Sequence, residues 1–373
     1  MSGEGRPVLG RRALNRALLA RQLLLRRAEL DPIAAIEHLI GLQAQAPLPP
    51  YFGLWTRLRA FRPTTLAALL EQRRVVRLAL LRGTVHLVSA ADCLRLRGLL
   101  QPMLERPLHA GSPYVAALAG LELDAIAAAA TALLEVPRTA SELGRLLQAR
   151  WPDRDPQALS FVARARLPLV QLPPRAVWGA QGVAGRAVLT PAERWLGSPL
   201  DTSTSLDELV LRYLNAFGPA TVQDMQAWSG LTRLGAVVER LRDRLLTFAD
   251  EQGRLLFDLP EAPRPDPDTP APVRLLPAYD NLLLSHADRS RVISDAHRKV
   301  MITINGIVKG SLLVDGFVRG SWDLIRRAGE LRLIVEPLAA LSAHDTARLV
   351  AEGRRLLRFA AAAGERGEVE ILA

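Results

Sequence analysis

Residues 205–260 read "SLDELVLRYLNAFGPATVQDMQAWSGLTRLGAVVERLRDRLLTFADEQGRLLFDLP", an order of helix, helix, helix and hairpin that few folds satisfy. Leu206, Leu209, Val210, Tyr213, Leu214 and Phe217 recur at helical spacing, and Gly218-Pro219 stops that helix. Thr221 caps a second, short helix that ends near Ser229-Gly230, and a third spans about Thr232 to Leu245. In "LLTFADEQGRLLFDL" two apolar runs flank Asp-Glu-Gln-Gly, which is a hairpin pattern. Three helices closed by a hairpin is the plan of a winged helix, a helix-turn-helix variant whose third helix can lie in a DNA groove.

The same order occurs twice upstream. Asp124 to Leu134 is helical, "RTASELGRLLQAR" holds a capped second helix, and Asp155 to Arg166 gives a third. "LPLVQLPPRAVWGA" then reads as the hairpin. A more diverged copy starts at Arg11, with a helix through Arg27 and a second capped by Asp31 with Pro32 in its first position. A later helix from Thr64 to Gln72 precedes "VVRLALLRGTVHLV", two strands around Arg82-Gly83. After Pro260, "PEAPRPDPDTPAPV" carries six prolines and reads as a linker. Beyond it the chain is rich in β patterns, with turns at Asn305-Gly306 and Asp315-Gly316, then a helix from Ala343 to about Ala363 and a last strand "EVEIL". The expected class is α+β: winged-helix units at 8–115, 116–200 and 201–260, and an antiparallel β-barrel-like domain with a closing helix at 261–373.

Charge narrows the partners. Basic residues outnumber acidic ones 48 to 38 in 373 residues, and only Lys299 and Lys309 among them are lysine. A surplus of +10 attracts polyanions such as nucleic acid. No apolar run approaches the roughly 20 residues of a membrane span, and no signal peptide is read at the N-terminus. The lone Cys93 forms no internal disulfide and fits a reducing cytoplasm. Six scattered histidines offer no metal-ligand spacing, and no Walker loop, dinucleotide fingerprint or serine elbow is present, so no metal and no cofactor is expected.

The chemistry-bearing candidate is "HLIGLQAQAPLPP" at 38–50. The helix from Pro32 should end near Ile40-Gly41, and Pro47 forbids its continuation. In extended backbone beyond the helix, Gln43 and Gln45 face the same side. Two readings stay open on the residues alone: satisfied structural amides at a helix end, or two carbonyls that accept from one water and aim it. Neutral amides are poor bases, so the second reading suits a leaving group that already departs easily, such as a cationic N-alkylated purine.

"HLIGLQAQAP", "RGTVHLVSAAD", "GPATVQDMQAWSGL", "RLLPAYDNLLLSHADRSRVI" and "VDGFVRGSW" follow one another between about Asn15 and Trp322. In this order they resemble the AlkZ/YcaQ-type winged-helix DNA glycosylases. The resemblance implies three tandem winged helices and a β-barrel, double-stranded DNA with alkylated purines as partner, and excision of N7-alkylated bases; three winged units in one chain do not require dimerisation, so a monomer is expected. Some members unhook interstrand crosslinks made by DNA-alkylating antibiotics, a form of repair and self-resistance. The family motif is Gln-apolar-Gln or Gln-apolar-Asp; Gln43-Ala44-Gln45 matches the former, with a smaller central residue than usual. By that resemblance Gln43 and Gln45 are the catalytic residues.

Strand-nicking glycosylases use an amine to form a Schiff base. The two lysines stand far along the chain from the glutamines, so monofunctional hydrolysis is expected, with the N-terminal amine as the open alternative. His86 in "GTVHLV" is either a DNA-backbone or active-site residue, as the resemblance suggests, or a satisfied strand histidine. Arg82 at a hairpin tip, Arg289 and Arg291 in "DRSR", and Arg11 and Arg12 on the first helix are the candidate phosphate contacts. Asp280 reads as a turn cap, and Trp178, Trp228 and Trp322 as core. The rival function is a non-catalytic DNA-binding protein, either a dimeric transcriptional regulator or a lesion binder.

Overall fold

The computed structural model describes residues 6–327 and 329–372, in a mixed α and β architecture with sheets of six, five and three strands. Residues 205–258 follow the expected order. Ser205 and Thr221 accept from the Glu208 and Asp224 amides and start the helices Leu206–Phe217 and Val222–Ser229. The third helix, Gly235–Arg240, is shorter than its apolar pattern, because Arg242–Arg244 tightens into a 3-10 turn before the hairpin Leu246–Asp250 and Leu255–Asp258. Val8–Leu9 adds a parallel third strand to that hairpin, a pairing too short to read from sequence.

Upstream the outcome is mixed. Asp31 caps Pro32–His38 by accepting from the Ile33 amide at 2.8 Å. The first helix ends at Arg21 instead of Arg27. Its continuation is spent on tertiary contacts: Leu23 takes φ +57°, and Arg27 lies over the Trp55 ring and pairs with Glu352. Pro49–Arg57 is a helix that the sequence reading did not include; its two prolines are well placed in a first turn, where the missing N–H costs nothing. The hairpin Val75–Ala79 and Val85–Ser89 forms as expected.

The middle hairpin does not. Leu169–Gln171 pairs with Val188–Pro191, not with the residues directly after it. Pro173-Pro174 have no ladder donors, and the chain leaves the sheet there. Ala176 and Val177 then pack into the core around Ile36, Tyr51 and Leu87. Arg77 and Leu78 pair with Gln171 and Val170, which fuses the first two hairpins into one sheet of six strands.

The C-terminal sheet corrects the barrel expectation. Arg274–Leu276, Gly310–Val314, Phe317–Arg327, Glu330–Pro337 and Arg366–Ile371 lie in that order, open at both edges, and the last pair is parallel. The helix Ala343–Ala360 causes this: it carries the chain back so that the last strand enters in the same direction as its neighbour. Leu349, Leu356, Leu357 and Ala360 of that helix pack on Leu312, Leu333 and Val335 of the sheet, so this apolar face is buried without closure. The proline-rich stretch is strapped to the first helix, where Arg21, Arg12 and Arg16 donate to the carbonyls of Pro263, Pro267 and Thr269. Among the described residues no helix is long and apolar enough to cross a membrane.

Candidate active site

The Gln-Ala-Gln segment begins where the helix Pro32–His38 is turned by Gly41. Gly41 has φ +91°, and a Cβ there would lie 2.7 Å from Val88 Cγ1, so the turn needs glycine and a close strand behind it. Asn281 Nδ2 donates to the Gly41 carbonyl at 2.8 Å and fixes the turn from the other side. Leu42 and Gln43 then pair with Leu87 and His86, and the Ala44 amide donates to the Val85 carbonyl.

Alternation sorts the side chains. Leu42 and Ala44 are buried in the core shared with Tyr51 and Leu87. Gln43 and Gln45 take the opposite face, Gln43 8% exposed and Gln45 open to solvent. Both amides meet one hairpin. Arg82 Nη2 donates to Gln43 Oε1 at 2.8 Å, and the Val85 amide donates to Gln45 Oε1 at 3.3 Å. Each carbonyl oxygen has two lone pairs, so each keeps one for a further donor. A cavity of about 10 Å³ adjoins Gln43 between Pro49, Gly53, Tyr279, Asp280 and Asn281, room of the order of one water.

His86 stands across the strand pair from Gln43 and is 1% exposed. Its Nδ1 lies 2.9 Å from the Thr84 carbonyl, which can only accept, so Nδ1 carries the hydrogen and Nε2 the lone pair. Burial and the charge of Arg82 push its pKa down to about 3, so the ring is neutral at physiological pH.

Arg82 does not reach out from the hairpin tip. It has φ +55°, is half-buried, and turns inward to Gln43 and to the Trp228 carbonyl. Gly230, at φ +81°, lets the turn after Val222–Ser229 press against the Arg82 backbone. Burial and the like charge of Arg289 lower the Arg82 pKa to about 10, so it remains cationic. Arg289 acts on Arg82 through its charge, and its Nε donates to the His286 carbonyl at 3.4 Å. Gln43, Gln45, His86 and Arg82 are thus brought together by one short strand and the hairpin it pairs with.

The other candidates go elsewhere. Arg291 is 5% exposed and donates to the Pro219 carbonyl, so its burial contradicts the reading of a surface phosphate contact. Arg12 is committed to Asp315 and the Pro267 carbonyl, and this pairing likewise contradicts its reading as a free phosphate contact. Arg11 is exposed and lies over the Phe317 ring. Arg11 and Arg12 line a cavity of about 600 Å³ with Asp250, Glu251, Arg254 and Asp288; its charge is mixed and the glutamines do not line it. Asp280 is a cap, accepting from the Leu282 amide, and also forms a buried bidentate pair with Arg57. Trp228 and Trp322 are buried, and Trp178 is half-buried against Tyr51 and Phe359.

Three features escaped the sequence reading. Asn281 is one, and the buried guanidinium of Arg77 behind Ala44 is another. The third is the tip between the two lysines, where Ile304 is fully exposed and Ile307 half-exposed beside the Asn305-Gly306 turn. Lys309 and Ile307 line a groove of about 380 Å³ with Trp322, and Ala278 borders both this groove and the cavity at Gln43. Among the described residues no group of three or more His, Cys, Asp or Glu is placed to hold a metal ion.

A family model described as DNA glycosylase AlkZ-like matches residues 36–359. An interstrand DNA cross-link repair glycosylase of Streptomyces sahachiroi is 24% identical over 362 residues, covering 89% of this chain and 90% of that protein. The solved structure of the Streptomyces sahachiroi DNA glycosylase AlkZ superposes with a TM-score of 0.79 at 19% identity, covering 98% of this chain and 100% of the other. That likeness shows the fold, and the family match spans most of the chain, including both glutamines. The chain belongs to the AlkZ-like DNA glycosylase family.

Proposed function

We propose that this protein is a monofunctional glycosylase that hydrolyses the N-glycosidic bond of N7-alkylated purines in double-stranded DNA. We extend the reading to interstrand crosslinks and bulky antibiotic adducts joined through the same nitrogen, as the name of the Streptomyces sahachiroi relative suggests. The observation that carries it is the pair of carbonyls, Gln43 Oε1 and Gln45 Oε1, each held by one donor of a single hairpin. Alkylation at N7 makes the purine cationic, and it departs as a neutral molecule while C1′ becomes oxocarbenium-like. Two fixed carbonyl dipoles orient a water toward C1′ and stabilise the developing charge. The water becomes acidic as it bonds to C1′, and its proton passes to solvent beside the exposed Gln45. No strong base is needed.

Arg82 places positive charge next to Gln43, which on its own opposes a sugar cation. Arg82 is itself committed inward, so in this reading a phosphate of the lesion strand meets the half-buried Arg289, and its negative charge offsets that opposition. His86 stays neutral and packs beside Gln43 without donating a charge. Three winged-helix units, at 8–115, 116–200 and 201–260, and the sheet domain at 261–373 hold the duplex, with the protein acting as a cytoplasmic monomer.

The test is incubation with duplexes carrying N7-methylguanine or a nitrogen-mustard crosslink, followed by analysis of both base and strand. Free base with an intact abasic strand and no borohydride-trapped adduct is expected. Trapping would assign an amine, with Lys309 the first to replace. No release from any adduct, with tight binding retained, would favour a lesion binder.

A further inference from the structure

Arg77 lies in the strand Val75–Ala79 and is 1% exposed. Its Nη2 donates to the Ala44 carbonyl at 2.7 Å, between the two glutamines in sequence. Among the described residues Nε and Nη1 find no partner, and neither does Oε1 of Gln171, whose Cα stands opposite Arg77 in the sheet. Two other buried arginines are neutralised, Arg21 by a bidentate pair with Asp258 and Arg57 by one with Asp280, while Arg97, without a carboxylate, is bonded to Gln101 and to the Ala165 and Leu167 carbonyls. Arg77 has no such carboxylate; after burial, the cation of Arg175 is what most lowers its pKa, to about 10. A buried, charged guanidinium bonded through one of its three nitrogens costs stability that an apolar side chain of similar length would not. Something other than packing accounts for it.

The sheet register says where it acts. Gln43 and His86 share one face, while Leu42, Leu87 and Arg77 share the other. Arg77 therefore reaches beneath the intervening strand to the backbone of the motif and stays on the side away from Gln43 and Gln45. Ordered water is the natural partner for the three N–H groups on Nε and Nη1.

We propose that Arg77 is a positioning residue for base excision, fixing through the Ala44 carbonyl the strand geometry that aims Gln43 and Gln45 at one water. This rests on the reading of those glutamines as the catalytic pair. The experiment compares wild type, Arg77→Met, Arg77→Lys and Gln43→Ala under single turnover on a duplex with N7-methylguanine. Duplex affinity and thermal midpoint are measured for each, and rates are taken well below the lowest midpoint.

Arg77→Met is expected to release base about tenfold to a hundredfold more slowly at unchanged duplex affinity. Arg77→Lys recovers part of that loss, since an ammonium can reach the same carbonyl. A purely structural role would move the midpoint and leave the rate alone. A rate within about twofold of wild type in Arg77→Met, with Gln43→Ala defective, overturns the positioning role and spares the catalytic reading. A wild-type rate in Gln43→Ala removes the catalytic reading itself. If Arg77→Met does not fold, Arg77→Gln, too short to span to Ala44, takes its place under the same two outcomes.

Discussion

Gln43 and Gln45 are oriented by different kinds of donor: a guanidinium for the buried amide and a backbone N–H for the exposed one. The alternation rule put both on one face, which was legible from the spacing. The inward turn of Arg82 was not, because its second partner is the Trp228 carbonyl, 146 positions away. The protonation state of His86 was equally hidden, since it depends on complete burial beside Arg82. It has a consequence for stability. The folded chain keeps His86 neutral down to about pH 3, whereas the unfolded chain protonates it below its ordinary pKa of about 6.5. Between those values the unfolded state binds more protons, so stability falls on acidification, by up to about 1.4 kcal/mol per pH unit from this residue. His286, buried near Arg291, is shifted in the same direction. Thermal melts should show a midpoint that drops from pH 7 to pH 5, with a shallower slope in His286→Gln. A midpoint flat across that range would contradict the burial of both rings.

The elements around the motif were read well where local chemistry settled them and poorly where tertiary contacts did. Asp31-Pro32 announced its helix, and alternating apolar residues announced the hairpin at 75–89. The helix at 49–57 was not read, and the middle hairpin hid behind the 16-residue excursion from 172 to 187. Gly41 shows how the elements couple. Its positive φ and its closeness to Val88 and the Leu87 carbonyl make one residue serve both the helix end and the start of the strand. Gly41→Ala is expected to cost on the order of 2–3 kcal/mol from backbone strain and overpacking. Denaturant unfolding measures it, and a loss below about 0.5 kcal/mol, within the range of an ordinary surface substitution, would show that the turn has room to spare.

At the scale of the molecule, the sequence suggested a recurring order of helices and a hairpin, but not that the hairpins at 75–89 and 169–191 share a sheet, nor that the last sheet stays open. The charge count had a similar blind spot. Arg16, Arg21, Arg57, Arg77 and Arg97 are fully buried and bind carbonyls, aspartates or a glutamine inside the chain, so the arginine total overstates the surface offered to a polyanion. Beside the glutamines stands Arg82, turned inward onto Gln43, with the charge of Arg289 acting on it. The account as a whole rests on those amides acting after the duplex is bound. The most direct measurement is single-turnover release of N7-methylguanine by the double variant Gln43→Ala, Gln45→Ala, with duplex affinity recorded in parallel. The prediction is wild-type binding with release slowed at least about a hundredfold, the scale of losing a fixed dipolar contact to the transition state. Release at the wild-type rate by a folded, duplex-binding double variant would contradict it.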